Sequence, residues 1–230
     1  MATMTYVLGV DACTKGWVGI RMGSDDHPMG HFAATIAELV ALATADESLA
    51  AVAIDIPIAL PESAPRESDG LARARLGPRR SSLFDTPMRA AITCETFAEA
   101  NATNRALCGR GLSVQSYGLR ARILDVQEWL AVEPEIPVIE VHPETSFALA
   151  HGAPLAHTKK SWAGMRLRTA ILASVGLILP NDLGQAGDLG STDDVLDAAI
   201  AAWSAHRFTE GIAERLPAEP RSELAPAIWV

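Results

Sequence analysis

The sequence predicts an α/β fold in which a mixed five-stranded sheet is flanked by helices, with an arginine-rich insertion after the fourth strand. Two observations lead to this fold. Short apolar stretches of strand length alternate with amphipathic stretches of helical period. In addition, the first two strands are joined by a short glycine-containing turn, whereas a helix separates them from the strand that follows. A hairpin followed by a helical crossover places antiparallel and parallel pairs in one sheet.

Length and composition favour one globular domain over residues 1–230, with the insertion at about 61–112. The chain is 49% hydrophobic and has a mean hydropathy of +0.15, which excludes a disordered protein. It contains no apolar run near the roughly 18 residues of a membrane span and no basic leader, so we expect a cytoplasmic protein without a membrane partner. Its three cysteines lack metal-binding spacing and are expected to be reduced thiols.

The first element is a predicted hairpin over residues 6–21. Its first strand is apolar on both sides of Gly9 and ends near Asp11, and its turn contains Gly16. A carboxylate beside apolar neighbours at the end of a strand is costly unless a cation meets it. Asp11 is therefore a candidate metal ligand, and the alternative is that it caps the turn.

A short third strand is predicted at residues 31–33, followed by an amphipathic helix at 35–43. Residues 51–56 are too short an apolar run for a helix and form the fourth strand, which carries Asp55 near its end. Because the crossover helix returns the chain parallel to the first strand, Asp11 and Asp55 are expected at the same sheet edge, where ligands collect in open α/β sheets. Alternatively, Asp55 bonds only to local backbone amides.

The insertion at residues 61–112 is predicted to lie over these strand ends. Residues 66–122 contain ten arginines and five acidic residues, which gives this segment a net charge of +5. Because the whole chain has a net charge of −9, the rest of it carries −14. The overall charge argues against indiscriminate attraction to nucleic acid, but the insertion offers an anion-facing surface. Arg79, Arg80 and Ser81 are candidate phosphate-binding groups. The alternative is that these groups only solubilise a loop.

After the insertion, the pattern predicts a helix over residues 113–131 that buries Val114 on its apolar face. A last strand follows at 138–141. It carries Glu140, which is either a further acidic group of the site or a salt-bridged strand residue.

Two more helices are predicted in the C-terminal part, at about residues 161–175 and 192–208. Lys159 and Lys160 precede the first of them and are candidate phosphate contacts, with plain exposure as the alternative. The proline-broken tail after Leu216 is expected on the surface.

The last helix carries Asp194 and Asp197, which share a face because they are three residues apart. A capping box between Ser191 and Asp194 would explain Asp194 without any metal. It does not explain Asp197, which lies beyond the first turn among apolar residues. An acid on the packed side of a helix needs a partner.

Three predicted strands thus end in acids, and one helix carries two more. Carboxylates that converge repel one another, which raises their pKa values and destabilises the fold unless cations are bound. Hard oxygen ligands of this kind suit Mg²⁺ or Mn²⁺, and a pair of such ions activates water in phosphodiester cleavage.

Short motifs spread over nearly the whole chain add to this reading. They are Gly9-Val10-Asp11 with Gly16-Trp17, Ile54-Asp55-Ile56-Pro57, Arg80-Ser81-Ser82 with Phe84 and Pro87, Ser113-x-Gln115, Glu140-Val141-His142-Pro143-Glu144, Lys159-Lys160 and Asp194-x-x-Asp197-Ala198. The chain resembles, in these motifs, a bacterial and archaeal family of predicted nucleases known as domain of unknown function 429. The resemblance implies a ribonuclease H-like fold, the broad group that includes Holliday-junction resolvases. It also implies Asp11, Asp55, Asp194 and Asp197 as metal ligands, with Glu140 near them.

Our first hypothesis is a Mg²⁺- or Mn²⁺-dependent nuclease acting on structured nucleic acid, with DNA and RNA both left open. A second is a protein of the same fold that binds nucleic acid or another protein without cutting it. A third is an actin-like ATP-binding phosphotransferase, which requires two duplicated halves. The insertion has few aromatic residues, chiefly Phe84 and Phe97, so no base-stacking platform is predicted there. The oligomeric state is left open, with a homodimer as one alternative.

Overall fold

The computed structural model describes residues 5–23, 27–219 and 226–230, and its central feature is a five-stranded mixed sheet. The strands are β1 (Tyr6–Cys13), β2 (Gly16–Gly23), β3 (Met29–Ala33), β4 (Leu49–Ile54) and β5 (Val138–Glu140), in the spatial order β3-β2-β1-β4-β5. β1 pairs antiparallel with β2 and parallel with β4, and β4 pairs parallel with β5. The predicted α/β fold with a mixed sheet is confirmed, and it is consistent with a ribonuclease H-like fold.

Ten α-helices and a second, two-stranded sheet accompany this sheet in the described ranges. The helices are α1 (Ile36–Ala43), α2 (Glu67–Leu76), α3 (Arg89–Ile92), α4 (Phe97–Cys108), α5 (Val114–Gly118), α6 (Arg120–Leu130), α7 (Pro143–His151), α8 (Trp162–Ser174), α9 (Gln185–Leu189) and α10 (Thr192–Thr209). A 3-10 helix spans Gly77–Ser82, and β6 (Arg215–Leu216) pairs with β7 (Ile228–Trp229). Among these helices, none has the length and hydrophobicity that a membrane span requires.

Each face of the sheet is covered by its own helices. Leu8 and Val10 of β1 belong to a buried cluster shared with α1 and α6, whereas Val7 packs in another cluster with Ala201 of α10. Successive side chains of a strand point to opposite faces of its sheet. Asp11 therefore shares the face of Val7, which α10 covers.

The packing of α10 on β1 is unusually close because both partners present small residues. A Cβ atom added at Gly9 would lie 2.0 Å from the Ala202 nitrogen and 2.1 Å from the Ala198 carbonyl oxygen, so the backbones of strand and helix are in direct contact. Half of the residues that α10 buries are alanines, namely Ala198, Ala199, Ala201, Ala202 and Ala205. This approach holds Asp197, one residue before Ala198, against the end of β1.

The helix predicted over residues 113–131 is broken in two. Leu119 ends α5 and begins α6, and the predicted burial of Val114 is wrong because 66% of that side chain is exposed. Ser113 caps α5 by accepting a hydrogen bond from the Ser116 amide. The break follows Gly118, since glycine has little tendency to continue a helix.

Five α-helices of the described residues were not predicted, namely α2, α3, α4, α7 and α9. α4 lies inside the segment 61–112 and begins with a capping box formed by Thr96 and Glu99, a signal that is present in the sequence. α7 follows β5 directly and has Pro143 at its first position, where a proline costs no hydrogen bond.

Part of the tail is buried where the structure describes it, so its predicted surface position is wrong at Pro217, Ile228 and Val230, whereas Ala218 and Glu219 are exposed. Ile228 is 2% exposed and Val230 is fully buried. Glu214 and Val230 exchange two backbone hydrogen bonds of 2.8 and 2.9 Å, which extend the β6–β7 pair. The physical reason is that this apolar end packs against Leu76 of α2. Residues 220–225 of the tail lie outside the described part of the chain.

We expect Gly9→Ala to lower the free energy of unfolding by about 3 kcal/mol or more, because the new methyl group has to displace the backbone of α10. Chemical denaturation followed by circular dichroism measures this. The matched control is Gly70→Ala in α2, where a Cβ atom meets nothing within 4 Å and should stabilise the helix by up to about 1 kcal/mol. Equal stability of the two variants would contradict the close packing.

Candidate metal centre

Three acidic side chains from three separate elements meet at the edge of the sheet. They are Asp11 of β1, Asp55 directly after β4, and Asp197 of α10. One carboxylate oxygen from each lies within 4.8 Å of the other two. Asp11 is 6% exposed and Asp197 is 2% exposed, while Asp55 is half-buried. We call these residues the acidic triad.

The parallel pairing of β1 and β4 brings the first two acids of the triad together. Val10 lies opposite Ile54, and the amide of Asp55 donates a hydrogen bond of 3.0 Å to the carbonyl oxygen of Val10. Asp11 and Asp55 therefore follow paired positions at the same end of neighbouring strands. The third acid, Asp197, comes from the far side of the sequence through α10.

Burial raises the pKa of every carboxyl in the triad. For Asp11 the rise is large, and the nearby charges of Asp55 and Asp197 add to it. Burial also raises the pKa of Asp55 to about 7, although the charge of Lys159 opposes the rise. For Asp197 burial gives a pKa of about 6, again opposed by Lys159. Close carboxylates with this cost of ionisation are stabilised by a bound cation.

The donor set fits a hard divalent cation. Carboxylate oxygens are the ligands that Mg²⁺ and Mn²⁺ prefer, and Mg²⁺ sites commonly use few protein carboxylates and leave room for water and phosphate. The triad supplies oxygen donors only, and two of its members, Asp11 and Asp55, line the wall of an open cavity. The acidic triad could thus hold a metal ion.

Lys159 is a component of this centre. Its Nζ atom lies 2.5 Å from Oδ2 of Asp197 and 3.7 Å from Oδ2 of Asp193. Burial lowers the pKa of Lys159, but the carboxylates of Asp197 and Asp11 outweigh that effect and hold its pKa above the ordinary value. Lys159 is therefore charged and offsets part of the negative charge of the triad.

Asp194 lies beside the triad but not within it. Its Oδ2 atom accepts a hydrogen bond of 2.9 Å from the Ser191 amide, and the Ser191 hydroxyl accepts one from the Asp194 amide. This is the capping box that the sequence analysis gave as the alternative for Asp194. The side chain still lines the cavity, and its charge contributes to the raised pKa of Asp11.

Glu140 belongs to a second buried network next to the triad. Its carboxylate accepts hydrogen bonds of 2.7 and 2.6 Å from Arg66 and one of 2.8 Å from the amide of Ile58. Arg66 also bonds to Asp69, and all three charged side chains are at least 94% buried. Glu140 is thus placed as the partner of Arg66, while its charge adds to the raised pKa of Asp55. The sequence analysis identified neither Arg66 nor Asp69.

The predicted phosphate contacts are placed differently from one another. Arg79 lines the cavity and bonds to Glu144 at 3.4 Å, and Ser81 is an exposed lining residue. Lys160 is exposed at the cavity mouth. Arg80 is exposed and is not part of the cavity wall.

Glu144 is held by a second arginine that the sequence analysis did not identify. Arg168 of α8 is fully buried and donates a hydrogen bond of 2.5 Å to Glu144. Arg79 of the 3-10 helix and Arg168 of α8 therefore both bond to the carboxylate of Glu144. This shared contact fixes the position of Arg79 in the cavity wall.

The cavity at the triad has a volume of about 740 Å³. Asp11, Asp55 and Asp194 line it, together with Arg79 and residues 81–87. Ile56, Leu83 and Phe84 add apolar surface. A volume of this size accommodates a small ligand or a single nucleotide.

A family model described as "Protein of unknown function (DUF429)" matches residues 9–222, which is most of the chain. No curated protein and no solved structure matches the chain. The match includes every residue of the acidic triad, together with Lys159 and the Arg66–Glu140 network.

We expect Mg²⁺ or Mn²⁺ to raise the melting temperature more at about pH 8 than at about pH 5. Because the pKa values of Asp55 (about 7) and Asp197 (about 6) lie above the ordinary 3.8, the metal-free protein loses stability as the pH rises through that interval. Above it the carboxylates are ionised and free to bind the cation. Thermal-shift titration at both pH values measures the effect. A free cation concentration of a hundred times Kd should raise the free energy of unfolding by about 2.7 kcal/mol.

The control for this titration is a pair of variants. Asp11→Asn should lose the metal-dependent shift, whereas Asp46→Asn, at an exposed position outside the cavity, should keep it. An undiminished shift in Asp11→Asn would show that the cation binds elsewhere.

We further expect Arg66→Met to lower the free energy of unfolding by about 3–5 kcal/mol, because it leaves Glu140 and Asp69 buried without a cation. The matched control is Arg75→Met. Arg75 pairs with Glu214 through side chains that are 38% and 46% exposed, so its loss should cost no more than about 1 kcal/mol. Urea unfolding compares the two, and a small effect for Arg66→Met would contradict the buried network.

Proposed function

We propose that this chain, which belongs to the family described as "Protein of unknown function (DUF429)", is a divalent-metal-dependent nuclease that hydrolyses phosphodiester bonds. The observation that carries the proposal is the convergence of Asp11, Asp55 and Asp197 at the carboxyl ends of parallel strands. Three buried acids are costly to the fold, and a cation that also serves a reaction explains why they lie together. The ribonuclease H-like order of the sheet agrees with this activity.

The roles of the triad follow from its chemistry. Asp11, Asp55 and Asp197 would hold Mg²⁺ or Mn²⁺ through their carboxylate oxygens. The bound ion supplies Lewis-acid activation of water and of phosphate oxygens. Lys159 holds the carboxylate of Asp197 through their ion pair, and its charge opposes the rise in the pKa of Asp197 that burial causes. No side chain is proposed as a nucleophile.

The substrate would be held by the cationic part of the same cavity. Arg79 presents its guanidinium from the wall formed by the 3-10 helix, and Ser81 offers a hydroxyl beside it. Lys160 is an exposed lining residue of the same cavity. These groups are suited to the oxygens of a phosphodiester backbone and carry no base specificity. These groups therefore do not distinguish DNA from RNA.

The actin-like alternative is less well supported. It requires two duplicated halves, whereas residues 5–23, 27–219 and 226–230 form one five-stranded sheet and one two-stranded sheet. The non-catalytic alternative explains the cationic wall but leaves the buried triad without a reason. We therefore place cleavage first.

We expect the protein to cleave at least one member of a panel of linear and branched DNA and RNA when Mn²⁺ is supplied. Asp11→Asn, Asp55→Asn and Asp197→Asn should each reduce the rate by about a hundredfold or more, since even a group that only supports a metal ligand costs about 10- to 100-fold. Gel-based cleavage kinetics measure the rates.

Asp46→Asn serves again as the control and should cleave at the wild-type rate, since its exposed carboxylate is remote from the cavity wall. Cleavage that persists in Asp11→Asn, or that survives chelation of the metal, would refute the assignment.

A further inference from the structure

A second cavity, of about 960 Å³, adjoins the first. The two share Lys159, Lys160 and Asp194 as lining residues. Lys159 is the residue bonded to Asp197 of the triad. The acidic triad therefore lies close to the junction of the two cavities, so a chain-like ligand can reach from one into the other past the acids.

The second cavity has an exposed tryptophan on its wall. Trp162 is the first residue of α8, and 74% of its side chain is exposed. Ser161 caps α8 by accepting a hydrogen bond of 3.0 Å from the Gly164 amide, which fixes the start of the helix. The guanidinium carbon of Arg166 lies 6.0 Å from the centre of the indole ring. A large aromatic surface left open beside cations is suited to stacking on a nucleobase.

The charges around Trp162 favour a phosphodiester ligand. Lys15 and Lys160 line the cavity, and neither forms an ion pair with any residue that the structure describes. The first amides of α8 also have no acceptor within the helix, which favours an anion there. Two acids, Asp193 and Asp194, share the wall, but three lysines, Lys15, Lys159 and Lys160, outnumber them.

The form of the ligand follows from the shape of the site. Each cavity has the volume of a small-molecule pocket, and the faces of bases inside a duplex are already stacked on one another. A single strand, by contrast, can place its bases in separate cavities and stack one on an aromatic ring without sequence preference.

We infer that a single-stranded segment of nucleic acid crosses the acidic triad from the first cavity into the second, with one base stacked on Trp162 and its phosphates at Lys15 and Lys160. This inference rests on the proposed nuclease function and adds the form of its substrate. It also places a base-stacking surface at Trp162. The sequence analysis considered such a surface only within the arginine-rich insertion, and predicted none there.

The test measures binding and cleavage separately on the full chain. Binding is measured by fluorescence anisotropy with labelled oligothymidylate and oligouridylate of about ten nucleotides, and with the corresponding duplexes, in Ca²⁺. We expect the wild type to bind single strands more tightly than duplexes. Trp162→Ala should weaken single-strand binding about tenfold, Trp162→Phe should retain most of the affinity, and Lys160→Ala should reduce the salt dependence.

Val132→Ala is the control, because Val132 is also 74% exposed but lines neither cavity. It should bind single strands as the wild type does. Asp11→Asn should bind them while failing to cleave.

Unchanged single-strand binding in Trp162→Ala, or tighter binding of duplexes by the wild type, overturns the inference and leaves the nuclease function standing if Asp11→Asn fails to cleave. Cleavage by Asp11→Asn at the wild-type rate overturns the nuclease function instead. Equal losses in Trp162→Ala and Trp162→Phe also overturn the inference, since stacking is retained by phenylalanine. Binding of anionic lipid vesicles in place of oligonucleotides points to a membrane surface and overturns it as well.

Discussion

The close packing of α10 on β1 determines where the acids of this protein meet. Gly9 and the alanines of α10 let the two backbones touch, and the same contact sets Asp197 beside Asp11. A larger residue at this contact would move the helix outwards and separate the carboxylates. The acids themselves supply none of the attraction, since they repel one another. The free energy needed to bring the three carboxylates together therefore comes from apolar packing elsewhere in the core.

The buried charges of the site are compensated unequally. Glu140 is bonded by Arg66, and Glu144 by Arg168, each through short hydrogen bonds in the interior. The triad, in contrast, has three carboxyl groups and one close cation, Lys159. Glu140 and Asp69 thus share one arginine and Glu144 contacts two, whereas the three carboxyl groups of the triad have a single lysine between them. That difference distinguishes a candidate binding centre from ion pairs that serve the fold.

The sequence predicts the sheet well because strand ends, turns and crossover length are local signals. It likewise predicts that Asp11 and Asp55 share an edge, since each comes directly after an apolar run of strand length. The sequence does not show which of Asp194 and Asp197 is a metal ligand. Two acids spaced three residues apart at the start of a helix are expected both for a helix cap and for a pair of ligands. The partnership of Lys159 with Asp197 spans 38 residues and that of Arg66 with Glu140 spans 74, and no periodicity encodes such pairs. The burial of Ile228 is also a tertiary effect, because a short apolar end finds its partners only after folding.

The ion pair between Lys159 and Asp197 has a consequence for the order of assembly. Many small metal-binding domains are unfolded until metal arrives, because the unfolded chain rarely contains a preformed site. Here the chain brings a resident ammonium group to the acids, so the apoprotein can complete its fold first and take up an ion afterwards. An ion bound by the triad would then enter a pocket that has already folded and exchange with free cation.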